Sequence, residues 1–244
     1  MAFTYIFKRV EKKYMLTQEQ YDYIIERLAP HMHPDRFYES DIRNIYFDNK
    51  SDELIETSLK KPAYKEKLRL RSYGAPGADS LVFFEIKKKY QGVVYKRRIS
   101  MTRDEAYRYI ESGELPENLI GNIPVEIDYM IRRYRLFPKA YIGYHRIALV
   151  GNNDPELRIT FDSEITSRYH DVRLESEAEG EQLLDEGAHL MEIKIPGAMP
   201  LWLAHILSEK CIFPTSFSKF GTAHIRRKQM MMYRQTRYKL ASGF

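Results

Sequence analysis

The chain has 244 residues, of which 43% are hydrophobic and 13% aromatic, so it is long enough to bury a sizeable core. Its 39 basic residues are accompanied by 34 acidic ones, and the net charge of +5 favours a local positive field over a cationic surface. The single cysteine excludes an internal disulfide, and no stretch approaches the ~18 apolar residues of a membrane span. We therefore expect one soluble, cytoplasmic domain over residues 1–244.

Hydrophobic periodicity predicts alternating strands and helices along this domain. Strands are predicted where charged and apolar residues alternate, and helices where apolar residues recur at helical spacing. Capping boxes, Thr17 with Gln20 and Thr102 with Glu105, support two of the helices. In chain order we predict a strand over 7–16, a helix over 17–28, a strand over 42–48, a short helix over 51–61, strands over 64–73, 80–90 and 93–101, helices over 102–113 and 125–136, strands over 140–150 and 156–164, a partly helical acidic stretch over 175–187, a strand over 190–196, and helices over 200–210 and 222–238.

Residues 65–98 carry the strongest charge pattern, with ten cations and only three acids. In the strand over 64–73 every cation falls on one face, while Leu68 and Leu70 fall on the other. The next two strands repeat this arrangement. The polar faces of these strands carry Lys65, Lys67, Arg69, Arg71, Glu85, Lys87, Lys89, Lys96, Arg98 and Ser100. A sheet face with so many cations indicates a strongly anionic ligand.

The remaining strands also separate polar from apolar side chains. Their polar faces hold Arg9, Glu11, Lys13, Tyr144, Arg146, Arg158, Thr160, Asp162, Glu192 and Lys194. The apolar faces need cover, which the helices can supply. We therefore predict an α+β fold in which an eight-stranded antiparallel β-barrel has a polar, basic lumen and a jacket of helices. A bound polyanion would relieve the repulsion among the cations of such a lumen.

Eight short motifs in this order resemble the polyphosphate polymerase domain of the vacuolar transporter chaperone (VTC) family. They are Arg9-Val-Glu11-Lys-Lys13-Tyr14, Lys67-Leu-Arg69-Leu-Arg71, Glu85-Ile-Lys87-Lys-Lys89, Tyr95-Lys96-Arg97-Arg98, Tyr144-His-Arg146, Leu157-Arg158-Ile-Thr-Phe-Asp162, Glu192-Ile-Lys194 and Phe217-Ser218-Lys219. That family belongs to the CYTH-like triphosphate tunnel metalloenzymes, whose fold is an eight-stranded antiparallel tunnel. The resemblance runs from about residue 7 to residue 221 and covers nearly the whole chain.

The resemblance implies an ATP-dependent polyphosphate polymerase that moves the γ-phosphoryl group of ATP onto a polyphosphate chain and releases ADP. Glu192 would hold a divalent manganese or magnesium ion, and Glu11 and Glu85 are either further metal ligands or counter-charges for neighbouring lysines. The implied catalytic residues are Lys13, Arg69, Arg71, Lys87, Lys96, Arg146, Arg158 and Lys219. The implied phosphate-binding residues are Arg9, Lys67, Lys89, Arg98, Tyr144, Lys194 and Ser218.

Three other functions compete with the polymerase. One is a metal-dependent triphosphatase or polyphosphatase. The family signature begins with Glu-x-Glu-x-Lys, whereas Arg9 stands in its first position here. This departure favours the polymerase branch. A second is a non-catalytic module that binds polyphosphate for a partner. A third is an RNA-binding sheet, which the carboxylates interleaved on the same faces argue against because they repel a phosphate backbone. We therefore expect ATP and polyphosphate as ligands and no nucleic acid.

The resemblance also bears on location and on the C-terminal helix. The family works beside a membrane protein that exports its product, so we expect a membrane partner protein that holds the chain at the inner face of the membrane. Met230, Met231 and Met232 are predicted to pack on the barrel as core residues. The alternative, which the resemblance supports, is a C-terminal helix that plugs or gates one mouth of the tunnel.

Overall fold

The structure is a computed structural model that describes residues 5–6, 10–91 and 93–241. Its strands are β1 (Tyr5–Ile6), β2 (Val10–Leu16), β3 (Met32–Asp48), β4 (Tyr64–Tyr73), β5 (Leu81–Tyr90), β6 (Val93–Thr102), β7 (Phe137–Gly151), β8 (Arg158–Arg168), β9 (Glu181–Gln182), β10 (His189–Ile195) and β11 (Pro214–Thr215). Its helices are α1 (Gln18–Leu28), α2 (Glu53–Leu59), α3 (Arg103–Ser112), α4 (Asn122–Tyr134), α5 (Leu201–Glu209) and α6 (Lys219–Ala241).

The strands form a single large antiparallel sheet, which confirms the α+β class. Ten strands are hydrogen-bonded in the order β1-β6-β5-β4-β3-β7-β8-β10-β2-β11, and the eleventh, β9, pairs with β8. Three of these strands, β1, β9 and β11, contain only two residues each within the described part of the chain. The longer strands are those that the alternating pattern predicts.

The N-terminal segment pairs with both ends of this sheet. Tyr5 of β1 pairs with Lys96 of β6, while β2, a few residues further on, pairs along its whole length with β10. Glu11 of β2 also lies 3.8 Å from the ammonium of Lys87 on β5. The two ends of the sheet therefore approach each other through one short stretch of chain, although the described ladders follow an open order. A fully closed barrel stays a prediction.

Helices cover the outer face of the sheet, where the apolar residues of each strand lie. Ile24 of α1 and Leu203 of α5 pack with the outer residues of β2, β8 and β10. Tyr109 of α3 and Met130 of α4 pack with the outer residues of β4 and β5. Burial of these side chains removes a large apolar area from water and orients the charged faces inward. The helical jacket is therefore confirmed.

Both predicted capping boxes are present. Thr17 accepts a hydrogen bond from the Gln20 backbone at the start of α1, and Thr102 accepts one from Glu105 at the start of α3. Gly113 ends α3 with φ of 74°, a conformation that is strained for residues with a side chain. Local sequence therefore places the ends of these helices.

Two expectations are wrong. The acidic stretch over 175–187 contains no helix; it holds β9, which pairs with β8. The methionine run does not pack on the sheet, because Met230, Met231 and Met232 are 45%, 50% and 66% exposed. Phe220 and Ala223, at the start of the same helix, are buried instead.

Within the described residues no helix is long and apolar enough to cross a membrane.

Candidate active site in the cationic lumen

Strand parity sorts the charged residues of β4 to β6 between two surfaces. Leu68, Leu70 and Phe84 belong to the buried outer core. Lys88 and Arg97 also point outward, where both form ion pairs with Glu126 of α4. The opposite faces of β2 to β8 and β10 form the surface that we call the lumen. Its charged residues include Glu11, Lys13, Lys67, Arg69, Arg71, Glu85, Lys87, Lys96, Arg146, Asp162, Glu192 and Lys194, and Lys219 of α6 joins them.

Glu85 is the centre of the first lumen cluster. Its carboxylate is buried and accepts a hydrogen bond from Arg69 Nε at 2.7 Å on Oε2, and Nη2 of the same guanidinium lies 2.6 Å from that oxygen. Lys96 Nζ lies 2.8 Å from Oε1, and Arg71 Nε lies 3.9 Å from Oε2. Burial by itself raises the pKa of Glu85. The three cations have the larger combined effect and hold this pKa well below its ordinary value. Three cations around one carboxylate leave this region positive.

Asp162 is the centre of the second cluster. It is 0% exposed and receives both Nε and Nη2 of Arg146, at 2.6 Å and 2.8 Å. Lys219 of α6 donates to the same carboxylate and lies 4.3 Å above the ring of Tyr144. Burial raises the pKa of Asp162, while Lys219 and Arg146 lower it to about 2. The aspartate therefore orients two cations toward the lumen.

Glu192 is the centre of the third cluster. Lys194 Nζ lies 2.6 Å from its Oε1, and Lys13 Nζ lies 3.8 Å from its Oε2. Lys13 also lies 4.0 Å from Glu11. Burial raises the pKa of Glu192, but Lys194 and Lys13 hold it well below the ordinary value. The glutamate is therefore ionised at neutral pH.

The turn before α6 enters the lumen between β2 and β4. Lys13 donates to the Phe217 carbonyl at 3.0 Å, and Lys67 donates to the Ser218 hydroxyl at 3.2 Å. Desolvation lowers the pKa of Lys67 to about 8. The predicted site residue Ser218 and its neighbour Phe217 are therefore brought next to residues that lie 151 and 204 positions earlier in the chain.

Asn44 and Tyr46 are lumen residues that were not predicted as site residues. Tyr144, which was predicted to bind phosphate, also contacts an arginine of the lumen. Arg69 donates to the Tyr46 hydroxyl at 3.2 Å, and Arg71 donates to Asn44 at 2.9 Å and to Tyr144 at 3.1 Å. Burial raises the pKa of Tyr46, but Arg69 and Lys67 lower it to about 8. The signal for Asn44 and Tyr46 was present, because the alternation over 42–48 puts both on one face.

The remaining predicted residues lie around these clusters. Arg158 forms an ion pair with Asp35, and Lys87 and Lys89 are exposed. The guanidinium of Arg98 lies 4.9 Å above the ring of Phe83. Arg9 lies outside the described residues. The structure thus brings most of the predicted residues to one surface, and their catalytic and binding roles stay predictions.

Apolar side chains of α6 and α2 fill the lumen beside Tyr46 and Tyr144. Phe220 stacks on Tyr46 with ring centroids 4.8 Å apart and planes 20° apart. Ala223 and Ile55 belong to the same buried cluster. The start of α6 therefore occupies one side of the lumen, and plugging or gating of a tunnel mouth by this helix stays a prediction.

The donor set of the third cluster fits a divalent cation. Glu192 and Glu11 lie on paired strands and share contact with Lys13. Thr160 faces Glu192 in the ladder, and its buried hydroxyl lacks a hydrogen-bond partner in the described part of the protein. No group of three acidic, histidine or cysteine ligands suited to a metal occurs among the described residues. One or two carboxylates suffice for magnesium when substrate phosphates complete its coordination. Glu192 and Glu11 therefore fit this chemistry. Glu85 fits it less well, because three cations surround its carboxylate.

Phosphate affinity should fall as the pH rises through about 8, because desolvation lowers the pKa values of Lys67 and Lys96 to about 8. Both ammonium groups carry their charge below that pH and lose it above, so a bound polyanion loses two partners. Isothermal titration of inorganic tripolyphosphate across this range measures the effect. A Lys67→Arg, Lys96→Arg double variant should flatten the profile, since guanidinium stays charged. A flat wild-type profile contradicts the prediction.

The comparisons with known proteins agree with this architecture. The family model described as the VTC domain matches residues 8–225. A candidate adenylate cyclase from Bacillus halodurans is similar in structure, with 16% identity, coverage of 86% of this chain and 93% of that chain, and a TM-score of 0.53. A candidate adenylyl cyclase from Hippeastrum, described as having a dominant triphosphatase activity, has 14% identity, coverage of 88% and 95%, and a TM-score of 0.50. These structures show a shared fold. Because the family model spans most of the sequence, the chain belongs to the VTC domain family.

Proposed function

We propose that this protein is a polyphosphate polymerase, which transfers the γ-phosphoryl group of ATP onto the end of a polyphosphate chain in the cationic lumen and releases ADP. Membership of the VTC domain family supports this proposal. The observation that carries it is the excess of cations around Glu85, Asp162 and Glu192 on one inward surface. Such a surface suits a ligand with several adjacent negative charges rather than one.

Phosphoryl transfer makes few covalent demands on the protein, so positioning and charge neutralisation supply most of the catalysis. A terminal oxygen of the acceptor chain attacks the γ-phosphorus, and the bond from that phosphorus to the β–γ bridging oxygen breaks. The acceptor oxygen is already ionised, so no general base is required. Among the described residues, Arg69, Arg146 and Lys219 are oriented by buried carboxylates and can hold phosphate oxygens in place.

The metal belongs to the same proposal. A divalent manganese or magnesium ion held by Glu192, with Glu11 beside it, would neutralise charge on the transferring phosphoryl group. Lys13 and Lys194 contact Glu192 and keep it ionised. Arginine binds phosphate in bidentate fashion and lysine as a mobile point charge, so the mixed lumen can hold a chain and also let it advance.

The location and partners follow from the proposed product. A polymerase of this kind would take ATP from the cytoplasm, and a membrane partner protein would receive the growing chain. We place the protein on the cytoplasmic side of such a partner. Nucleic acid is not among the proposed ligands, because Glu11 and Glu192 interrupt the cationic surface.

A triphosphatase is the second candidate function. The Hippeastrum protein, which shares the fold, is described as having a dominant triphosphatase activity. In that reaction water replaces the polyphosphate acceptor, and the same cations would hold the substrate. A non-catalytic polyphosphate-binding module would also use this surface, but it would not need Glu192.

Phosphorus NMR separates these functions. We expect purified protein with ATP and manganese to give a new signal from internal phosphates, together with a stoichiometric rise in ADP. Orthophosphate without polymer would establish the triphosphatase instead. Unchanged ATP despite tight binding of polyphosphate would identify a binding module and overturn both enzymatic proposals.

A further inference from the structure

Three aromatic rings lie together at one end of the lumen strands, and we call Phe37, Tyr73 and Phe83 the aromatic shelf. Phe37 and Tyr73 are 64% and 49% exposed. Their ring centroids are 6.5 Å apart with planes 24° apart, and the Tyr73 ring meets that of Phe83 edge-on at 5.8 Å. Large exposed apolar rings in mutual contact form a flat surface on which a planar ligand can stack.

The shelf continues the charged face of the lumen. Tyr73 has the same strand parity as Arg69 and Arg71 on β4, and Phe83 has the parity of Glu85 and pairs directly with Arg71. Lys67, at the other end of the β4 face, contacts Ser218 just before α6. The shelf therefore borders the phosphate-binding cations on the side away from the start of α6.

Two arginines extend over this surface. Arg98 lies 4.9 Å above the Phe83 ring, and it pairs in register with Glu85. Arg36 lies 5.4 Å from the Phe37 ring. Guanidinium groups over aromatic rings stack well on nucleobases and also bind phosphate. The shelf thus combines flat apolar surface with cations, whereas the adjoining lumen offers mainly charge.

We propose that the aromatic shelf binds the base of the nucleoside triphosphate whose phosphates lie among Arg69, Arg71 and Lys96. This inference rests on the proposed function, because it assumes that the lumen holds the triphosphate. Tyr73 is the next residue after Arg71 on the lumen face of β4. Because two residues along a strand span about 7 Å, the shelf begins about that far from Arg71. A ligand with a polyanionic chain at one end and a planar ring at the other can contact both the lumen cations and the aromatic shelf. Stacking tolerates any base, so we expect little preference among nucleotides.

The test compares two ligands that share phosphates but differ in the base. Calorimetric titrations with ATP and with inorganic tripolyphosphate are carried out in EDTA, so that no metal-dependent turnover occurs. We expect Tyr73→Ala and Phe83→Ala to weaken ATP binding by about tenfold, the size of a lost base–aromatic stack, and to leave tripolyphosphate binding unchanged. Tyr73→Phe keeps the ring and should retain the wild-type affinity for ATP.

Tyr129→Ala is the matched control, because Tyr129 is 61% exposed on α4, outside the lumen. It should leave both affinities unchanged. Equal affinity of the shelf variants and the wild type for ATP would overturn the shelf, as would an equal loss for ATP and tripolyphosphate. If wild-type protein binds neither ligand, the proposed function itself fails, and this outcome differs from either result that overturns the shelf alone.

Discussion

Replacing Glu192 by glutamine should lower metal-dependent turnover by at least about a hundredfold, because the amide is a poor ligand for a divalent cation. Binding of tripolyphosphate without metal should be retained or become tighter, since the lumen loses one negative charge while Lys13 and Lys194 remain. The rate of ADP release over a range of manganese concentrations measures the first effect. Calorimetric titration in EDTA measures the second.

Glu19→Gln is the control for this experiment. Glu19 lies on α1 with its side chain 81% exposed, where it forms an ion pair with Lys210. Turnover and phosphate binding should both match the wild type. Unchanged turnover in the Glu192 variant would show that this glutamate does not hold the metal. Loss of phosphate binding together with turnover would point to a damaged lumen.

Replacing Arg69 by methionine should reduce the free energy of unfolding by about 3 kcal/mol, the cost of leaving a buried charge without its main partner. Glu85 is 1% exposed, and Arg69 supplies its two shortest contacts to Oε2, a hydrogen bond from Nε and an ion-pair contact from Nη2. Lys96 and Arg71 remain nearby, which limits the loss. Urea denaturation measures the change. Tripolyphosphate affinity should fall in the same variant.

A double variant tests the cause of this loss. Arg69→Met combined with Glu85→Gln removes both charges, so most of the stability should return while phosphate affinity stays low. Arg132→Met is the surface control, because the Arg132 side chain is 65% exposed and its bonds to Asp128 and the Gly113 carbonyl should contribute far less than a buried pair. If Arg69→Met unfolds at the wild-type urea concentration, Glu85 does not depend on Arg69.

Period-two alternation predicted the lumen faces correctly. Leu68 and Leu70 lie in the outer core, and Arg69 and Arg71 lie opposite them, because successive side chains of a strand point to opposite sides. The capping boxes at Thr17 and Thr102 predicted the starts of two helices for an equally local reason. These features depend on residues that are close in the chain.

Strand length was less predictable. The alternation predicts a strand over 42–48, whereas β3 begins at Met32. Its first part has no apolar alternation and contains Pro34, and it is held by pairing with β7 across a register shift between Pro34 and Glu39. The partner strand therefore supplies order that the local pattern does not encode.

Sequence pattern alone decided which side chains share a face, because alternation along a strand is a property of neighbouring residues. Tertiary packing decided which faces meet. The contact of Lys219 with Asp162 joins residues 57 positions apart, and that of Lys67 with Ser218 joins residues 151 positions apart. Tertiary packing also decided that Phe220 is buried and Met232 is exposed on the same helix. The path of α6 past the lumen determines which of its turns pack against other residues.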